Sequence, residues 1–321
     1  MLGGRRSEYA VRLRKGAIVA ATETSSNSVP RIRLLRAFRE NRVYQGLLLI
    51  SPADLYLFIF MILPLILVVI LSFLSRGTYG AVEFRFNASN YARLFDPIYG
   101  KILVYSLGVG LGTTVITILI GYPLAYYIAR SPARQRSLLL FLILVPFWTN
   151  FVIRTYAWIM ILRGGGFLDA VLQWAHITRE PLGLLYSPTA VMIGMVYEFL
   201  PFMILPLYTS LEKIENALLE AAADLGAPPW KVFLRITLPL SVPGMIAGTI
   251  LVFIPAMGMF VIPDLMGGAK TLLIGNVIRN QFLTARDWPF GAAASMILMI
   301  MTVVLTMYYT RKAGFGEELL V

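Results

Sequence analysis

Long apolar stretches separated by short polar segments dominate the chain. Because a helix needs about 20 apolar residues to cross the hydrocarbon core of a bilayer, this pattern predicts six crossings. They lie near residues 47–74, 102–128, 138–162, 190–211, 238–262 and 292–310. The segments between them carry the charges and turn residues that the spans mostly lack, as in Arg163-Gly164-Gly165-Gly166. We therefore predict an all-α polytopic membrane protein with about six transmembrane helices.

These spans divide the chain into a transmembrane domain at 47–310, a tail at 1–46 and a short tail at 311–321. The first tail is basic: ten of the 28 Lys and Arg residues precede position 43. A basic segment that leads directly into an apolar span is typical of a cytoplasmic, topology-setting tail. We therefore expect no nucleic-acid partner, although the net charge of +11 by itself would allow one.

Lys and Arg residues also predict the orientation of the spans. With a cytoplasmic N-terminus, the inside segments hold 18 of these residues and the outside loops hold 9. The short segment 129–137, with three arginines in nine residues, supports the same orientation independently of the tail. This bias predicts that both termini are cytoplasmic.

Prolines occur within most of the predicted spans, and each leaves a backbone carbonyl without its usual partner. Kinked helices are tolerated where neighbouring helices or a water-lined cavity satisfy the freed groups. Their number suits a transporter better than a simple anchor. The residues are Pro64, Pro123, Pro146, Pro201, Pro206, Pro243 and Pro255.

Composition removes several kinds of chemistry. The chain has no cysteine and a single histidine, His176, which excludes disulfides, thiol nucleophiles, zinc clusters and haem ligation. Only 14% of the residues are charged, and 58% are hydrophobic. We expect no catalytic residues, no metal site and no enzymatic activity in this chain.

The segment 212–239 is too polar to cross a membrane and lies on the predicted cytoplasmic side. Apolar side chains recur in it at three- and four-residue spacing, which predicts one amphipathic helix. Gly226, followed by Pro228 and Pro229, should end this helix, and a second short helix should begin near Trp230. The predicted apolar stripe consists of Leu211, Ile214, Leu218, Ala222 and Leu225.

A spacing motif runs through the same segment. Glu220-Ala221-Ala222 is followed after three residues by Gly226, after nine more by Ile236, and after one more by Leu238-Pro239. This pattern resembles the EAA loop of permease subunits of binding-protein-dependent ABC importers. The alternative is an amphipathic helix that lies on the membrane surface.

The resemblance implies a type I ABC importer (MetI-like) permease fold in the bacterial inner membrane. It also implies that the loop couples the permease to a cytoplasmic ATPase. Glu220 would make polar contacts with the ATPase, Ala221 and Ala222 would permit close approach, and Gly226 would form the turn. ATP would be used by the partner ATPase, and this chain would bind no cofactor.

Further motifs resemble the spermidine/putrescine branch of these permeases, over about residues 47–310. The resemblance implies a polyamine substrate delivered by an extracytoplasmic binding protein. It also implies a second homologous permease in a heterodimer, and two cytoplasmic ATP-binding subunits. The motifs are Val145-Pro146-Phe147-Trp148, Arg154-Thr155-Tyr156-Ala157-Trp158, Tyr197-Glu198-Phe199-Leu200-Pro201-Phe202-Met203, Phe253-Ile254-Pro255-Ala256 and Val261-Ile262-Pro263-Asp264-Leu265-Met266-Gly267-Gly268.

Arg154 and Glu198 are the two charges embedded in predicted spans. Each lies eight residues from the predicted outer end of its span, which at about 1.5 Å per residue is about 12 Å below the surface. Equal depth on neighbouring helices favours a structural ion pair, since a lone buried charge costs a few kcal/mol.

Two roles in transport stay open at this stage. Glu198 would attract a cationic substrate if it faced the pathway, and Tyr197, Tyr156 and Trp158 would then offer aromatic faces for cation–π contact. Asp264, just past the fifth span, would meet a cation that arrives from outside, or it is an ordinary carboxylate at a helix end.

Other functional classes remain as alternatives. The same architecture would serve an ABC permease for another small solute, such as iron, phosphonate or sulfate. A self-sufficient secondary transporter typically shows internal repeats, and the sequence has no convincing one. An intramembrane enzyme would need a catalytic set that the composition does not supply.

Overall fold

The computed structural model describes residues 42–268 and 270–312. Most of the predicted tail 1–46, and residues 313–321 of the predicted C-terminal tail, lie outside the described residues. The chain divides into two units between Ile66 and Leu67, and each is described by itself.

The first apolar segment forms helix α1 (Arg42–Leu57), a π-helical turn (Phe58–Ile62) and helix α2 (Leu63–Ser72). Residues Ile50–Ser72 are long and apolar enough to span a bilayer, as predicted. The wider π turn directly precedes Pro64, whose ring would clash with the carbonyl of residue i−4 in a regular helix. The proline therefore changes the local helix geometry without ending the span.

In the part of the chain that the structure describes, five helical segments are long and apolar enough to span a membrane, and one bent pair makes up a sixth. The prediction of about six spans is therefore confirmed. The four unbroken spans of the second unit are α4 (Pro97–Arg130), α8 (Pro188–Glu212), the segment Pro229–Gly258 and α14 (Trp288–Lys312). The segment Pro229–Gly258 consists of α10 (Pro229–Val232), a π turn (Phe233–Thr237) and α11 (Leu238–Gly258).

The third predicted span, at 138–162, contains the kink-forming Pro146 and is sharply bent. Helix α5 (Ala133–Leu144) and a 3₁₀ turn (Val145–Trp148) meet helices α6 (Phe151–Leu162) and α7 (Phe167–Trp174) at 93°. Pro146 tightens the end of the first arm. Asn150 starts the second, because its Oδ1 accepts a hydrogen bond from the backbone N–H of Val152 at 2.8 Å.

A small hairpin, which the hydropathy pattern does not predict, lies between the first two spans. Strands β1 (Leu74–Arg76) and β2 (Val82–Phe86) pair antiparallel and lead into helix α3 (Ser89–Leu94). Two more short helices, α12 (Val261–Met266) and α13 (Ile274–Leu283), lie between the fifth and sixth spans.

Helices α4, α8 and α11 pack against one another and form the core of the second unit. Glycines allow two of them to cross closely: a Cβ at Gly244 would overlap the carbonyl oxygen of Pro206, and one at Gly248 would lie 2.6 Å from the sulfur of Met203. Small residues at crossings are how membrane helices approach one another without a hydrophobic driving force. A hydrogen bond of 2.8 Å between the hydroxyls of Tyr122 and Ser241 joins α4 to α11.

Candidate functional site

Arg154 on α6 and Glu198 on α8 form an ion pair inside the apolar part of the molecule. Nη2 of Arg154 donates to Oε1 of Glu198 at 2.9 Å, and the side chains are only 9% and 12% exposed. The ring of Phe147 covers the guanidinium, with its centroid 4.3 Å from Cζ. The pair forms although the span is bent, because the helix that Asn150 begins places Arg154 in its first turn.

The guanidinium of Arg154 has more donors than this pair uses. Its Nε and Nη1 are buried and have no hydrogen-bond partner among the described residues. The charge of Glu198 is balanced by the adjacent guanidinium of Arg154, because the two groups form an ion pair. A carboxylate in this position is better placed to hold Arg154 than to attract a second positive charge.

Two of the three predicted aromatic residues come together beside this pair. Trp158 and Tyr197 pack edge to face with ring centroids 5.3 Å apart. They help to line an apolar groove of about 340 Å³ between α4, α6 and α8, together with Ile116 and Met192. Tyr156 is 53% exposed and is not among the residues that line this groove, because two positions along a helix correspond to opposite faces.

Asp264, on α12, is held by protein donors at both carboxylate oxygens. Oδ1 accepts a hydrogen bond from Nδ2 of Asn276, and Oδ2 forms an ion pair of 2.7 Å with Nη1 of Arg279. Asn276 also donates to the carbonyl of Phe260 at 2.9 Å. The carboxylate therefore ties α12 to α13, and its charge has a counter-ion.

The EAA segment forms helix α9 (Asn216–Asp224), which ends as its sequence predicts. Gly226 has a φ of 76°, in the left-handed region that favours glycine. The N–H of Gly226 donates to Ala223 O at 2.8 Å, and the N–H of Ala227 donates to Ala222 O at 3.1 Å. This pair of bonds is a Schellman motif, which closes the helix and reverses the chain.

Two details of the prediction for this segment are wrong. The stripe does not lie on one helix, because α8 ends at Glu212 and α9 begins at Asn216, so that Leu211 and Ile214 are buried outside α9. The second helix is not a separate short element either. It begins at Pro229 and continues through the π turn at Phe233–Thr237 into the fifth span.

Much of α9 is exposed at the surface of the protein. Glu220 and Ala221 are exposed, and Ala222 is half-buried. Leu218 is 48% exposed and Leu225 is 88% exposed. Leu219 instead packs against the core of the unit. One side of this short helix therefore presents small and apolar side chains that nothing in the described chain covers.

Arginines of segment 129–137, whose charges predict the orientation of the spans, contact the same region. Nη1 of Arg130 donates to Oδ1 of Asn216 at 2.7 Å, and Nη1 of Arg136 forms an ion pair with Glu212. The three arginines clustered in this short segment were the sequence signal that polar contacts form here. The partners were not predictable, since they lie 86 and 76 residues away along the chain.

These features define a multi-pass membrane component whose EAA helix is exposed at the protein surface. Comparison with known proteins agrees with this class. Residues 117–311 match the family described as the binding-protein-dependent transport system inner membrane component. The chain belongs to this family, so it is a transport protein of the inner membrane.

Its curated relatives include spermidine/putrescine transport system permease proteins named PotB. Those of Salmonella typhimurium (strain SL1344) and Escherichia coli (strain K12) are each 48% identical to this chain over 258 residues. The matches cover 80% of this chain and 90% and 94% of the two relatives. The resemblance to the spermidine/putrescine branch is therefore confirmed.

Solved structures share the fold. A bacterial ABC transporter involved in import of the acidic polysaccharide alginate has a chain that matches with a TM-score of 0.65 at 18% identity. The match covers 89% of this chain and 99% of that chain. The predicted permease fold is therefore confirmed.

Proposed function

We propose that this chain is a permease subunit of an ATP-binding-cassette importer that takes up polyamines such as spermidine and putrescine. The observation that carries the proposal is the 48% identity to PotB proteins over 90% or more of their length. An identity of this extent includes the membrane spans that must form the substrate pathway.

The proposed partners follow from the same family. A second homologous permease completes the pathway as a heterodimer, and an extracytoplasmic binding protein delivers the substrate. Two cytoplasmic ATP-binding subunits hydrolyse ATP, and this chain binds no cofactor. Both termini are cytoplasmic in this proposal, which is supported by the excess of Lys and Arg in the predicted inside segments.

The EAA helix α9 is the proposed contact with the ATPase. Its exposed side presents Glu220 for polar contact, and Ala221 and Ala222 leave room for close approach. The turn at Gly226 sets the direction in which the chain returns to the membrane. Closure of the ATPase dimer on ATP then moves α9 and favours one of two states of the pathway.

For the pathway we propose that the aromatic pair Trp158 and Tyr197 contacts the substrate. Polyamines alternate ammonium groups with methylene chains, and an aromatic-lined apolar groove suits both through cation–π and hydrophobic contacts. We propose structural roles for Glu198, as the counter-ion of Arg154, and for Asp264, as the counter-ion of Arg279. Tyr156 remains a candidate for contact across the interface with the second permease, because it is exposed.

The test is reconstitution of the chain with its native partners in proteoliposomes. We expect spermidine or putrescine, with the binding protein, to stimulate ATP hydrolysis and to enter the vesicles. Iron, sulfate and a phosphonate are the comparison substrates. Stimulation by one of these and not by polyamines would contradict the proposed substrate, and uptake by the chain alone without ATPase would contradict the proposed class.

A further inference from the structure

Arg130, the last residue of α4, contacts the beginning of the EAA helix. Its Nη1 donates to Oδ1 of Asn216, the first residue of α9, at 2.7 Å and to the carbonyl of Ile214 at 3.3 Å. The guanidinium also lies over the ring of Tyr126, 5.7 Å from its centroid. These contacts fix the side chain in one direction, from the end of a spanning helix toward α9.

Arg136, in the first turn of α5, makes a second set of contacts at the same place. Its Nη1 pairs with Glu212 at the end of α8, while Nη2 donates to the carbonyl of Ala129 at 3.1 Å. The last carbonyls of a helix have no partner within the helix, so Arg136 caps α4 and joins it to α8. Four residues therefore join the ends of α4 and α8 to α9 through side-chain contacts: Arg130, Arg136, Glu212 and Asn216.

Helix α9 depends on such contacts for its position. It has nine residues, which is shorter than the about 12–15 at which an isolated helix becomes marginally stable. Glu215, at its N-cap, provides no side-chain capping bond. Leu219 packs on the core, and the contact from Arg130 supports the first turn.

Helix α9 is joined to α4 by a side-chain contact, whereas the chain itself joins α9 to its neighbouring helices. The chain itself joins α9 to α8 through residues 213–215 and to α11 through α10. Helix α4 packs against both α8 and α11 in the core, but it reaches α9 only across 86 residues of sequence. Among the residues that the structure describes, the contact from Arg130 therefore provides a direct polar link between α9 and the second span.

We propose that Arg130 is a positioning residue for energy coupling, which acts through Asn216 to make α4 move together with α9 when the ATPase subunits close. Arg136 and Glu212 hold the ends of α4 and α8 in register with this link. The inference rests on the proposed function, since it requires a partner ATPase that moves α9. It assigns Arg130 no contact with substrate or with nucleotide.

The test uses the complete transporter, with both permeases, the ATPase and the binding protein, in proteoliposomes. We expect Arg130→Gln and Asn216→Ala each to reduce the stimulation of ATP hydrolysis by loaded binding protein at least about fivefold, the lower end of typical coupling between sites. In Arg130→Gln, basal ATP hydrolysis and co-purification of the ATPase should stay unchanged. Asn216→Asp, which keeps an oxygen acceptor for Arg130, should retain stimulation within about twofold.

The matched control is Arg134→Gln, which removes the same charge from an exposed position of the same segment and should behave as the unmodified transporter. The double variant Arg130→Gln with Asn216→Ala should lose no more than Arg130→Gln alone, because the contact that Asn216→Ala removes is already lost with Arg130.

Equal behaviour of Arg130→Gln and Arg134→Gln would overturn the inference, as would additive losses in the double variant or failure of Asn216→Asp. Dissociation of the ATPase on Arg130→Gln would overturn it too, because the residue would then act in docking. An unmodified transporter that no polyamine stimulates would contradict the proposed substrate, and the coupling variants would then be compared with whichever solute does stimulate it.

Discussion

Replacement of Gly226 tests whether the turn after the EAA helix depends on backbone conformation. Its φ of 76° lies in the left-handed region, where a residue with a Cβ costs about 1–2 kcal/mol. A Cβ added there would meet nothing within 4 Å, so crowding contributes nothing to this cost. Otherwise the substituted residue 226 must leave the left-handed conformation, and both hydrogen bonds of the Schellman motif then break.

The chain will adopt the less costly of these two responses, so the strain of about 1–2 kcal/mol is the upper limit of the effect on the turn. A cost of this size lowers the population of the native turn about 5- to 30-fold relative to competing conformations. Asparagine tolerates the left-handed region better than most residues, and valine tolerates it poorly. We therefore expect Gly226→Val to be much more damaging than Gly226→Asn.

The assay is ATP hydrolysis by the complete transporter, with and without loaded binding protein. We expect stimulation to fall by up to about 30-fold in Gly226→Val and to persist largely in Gly226→Asn. Gly164→Val is the matched control, because Gly164 lies in a turn without a positive φ and a Cβ there also has free space. Equal effects of valine and asparagine at 226, or full stimulation with valine, would refute the argument from conformation.

Three further changes test the fold. Arg154→Glu leaves two buried carboxylates together and should cost about 3–5 kcal/mol, seen as loss of thermal stability in detergent. Adding Glu198→Arg should restore stability and transport; restored stability without transport would instead assign Glu198 to the substrate. Gly244→Leu should lower the yield of folded protein, because it overfills a helix crossing, whereas Gly108→Leu, at a position with free space, should not. Asp169→Ala should cost about 1–3 kcal/mol, since this buried carboxylate accepts two backbone N–H bonds, at 2.8 and 3.0 Å; unchanged exchange rates of those amides would contradict it.

Arg154 and Glu198 pair as their depth in the predicted spans indicates, although the spacing of apolar residues did not predict how sharply the third span bends. Equal depth came from counting eight residues inward from the outer end of each span, and the third span bends by 93° between Trp148 and Phe151. Arg154 and Glu198 still lie at matching depth, because the residues from 151 onward form one helix up to Leu162. A hydropathy average over about 20 residues responds to apolar content and not to direction, so it cannot detect such a bend.

The local sequence determined the features that depend on neighbours along the chain. Within the described residues, five apolar helices and one bent pair are long enough for a bilayer, and the end of α9 follows from Gly226 and the prolines after it. The spacing from Glu220 to Pro239 also sufficed to identify the family, since a motif of this kind is a property of the linear sequence.

Only the tertiary structure decided which groups Asp264 and Arg130 meet. Asp264 is matched with Arg279, and Arg130 reaches Asn216 across 86 residues. Tyr156 lies on a different face of its helix from Trp158, which the grouping of aromatic residues in sequence did not distinguish. The physical reason is that the energy of a charge or a polar atom depends on what surrounds it in space, and helices distant in sequence supply those surroundings.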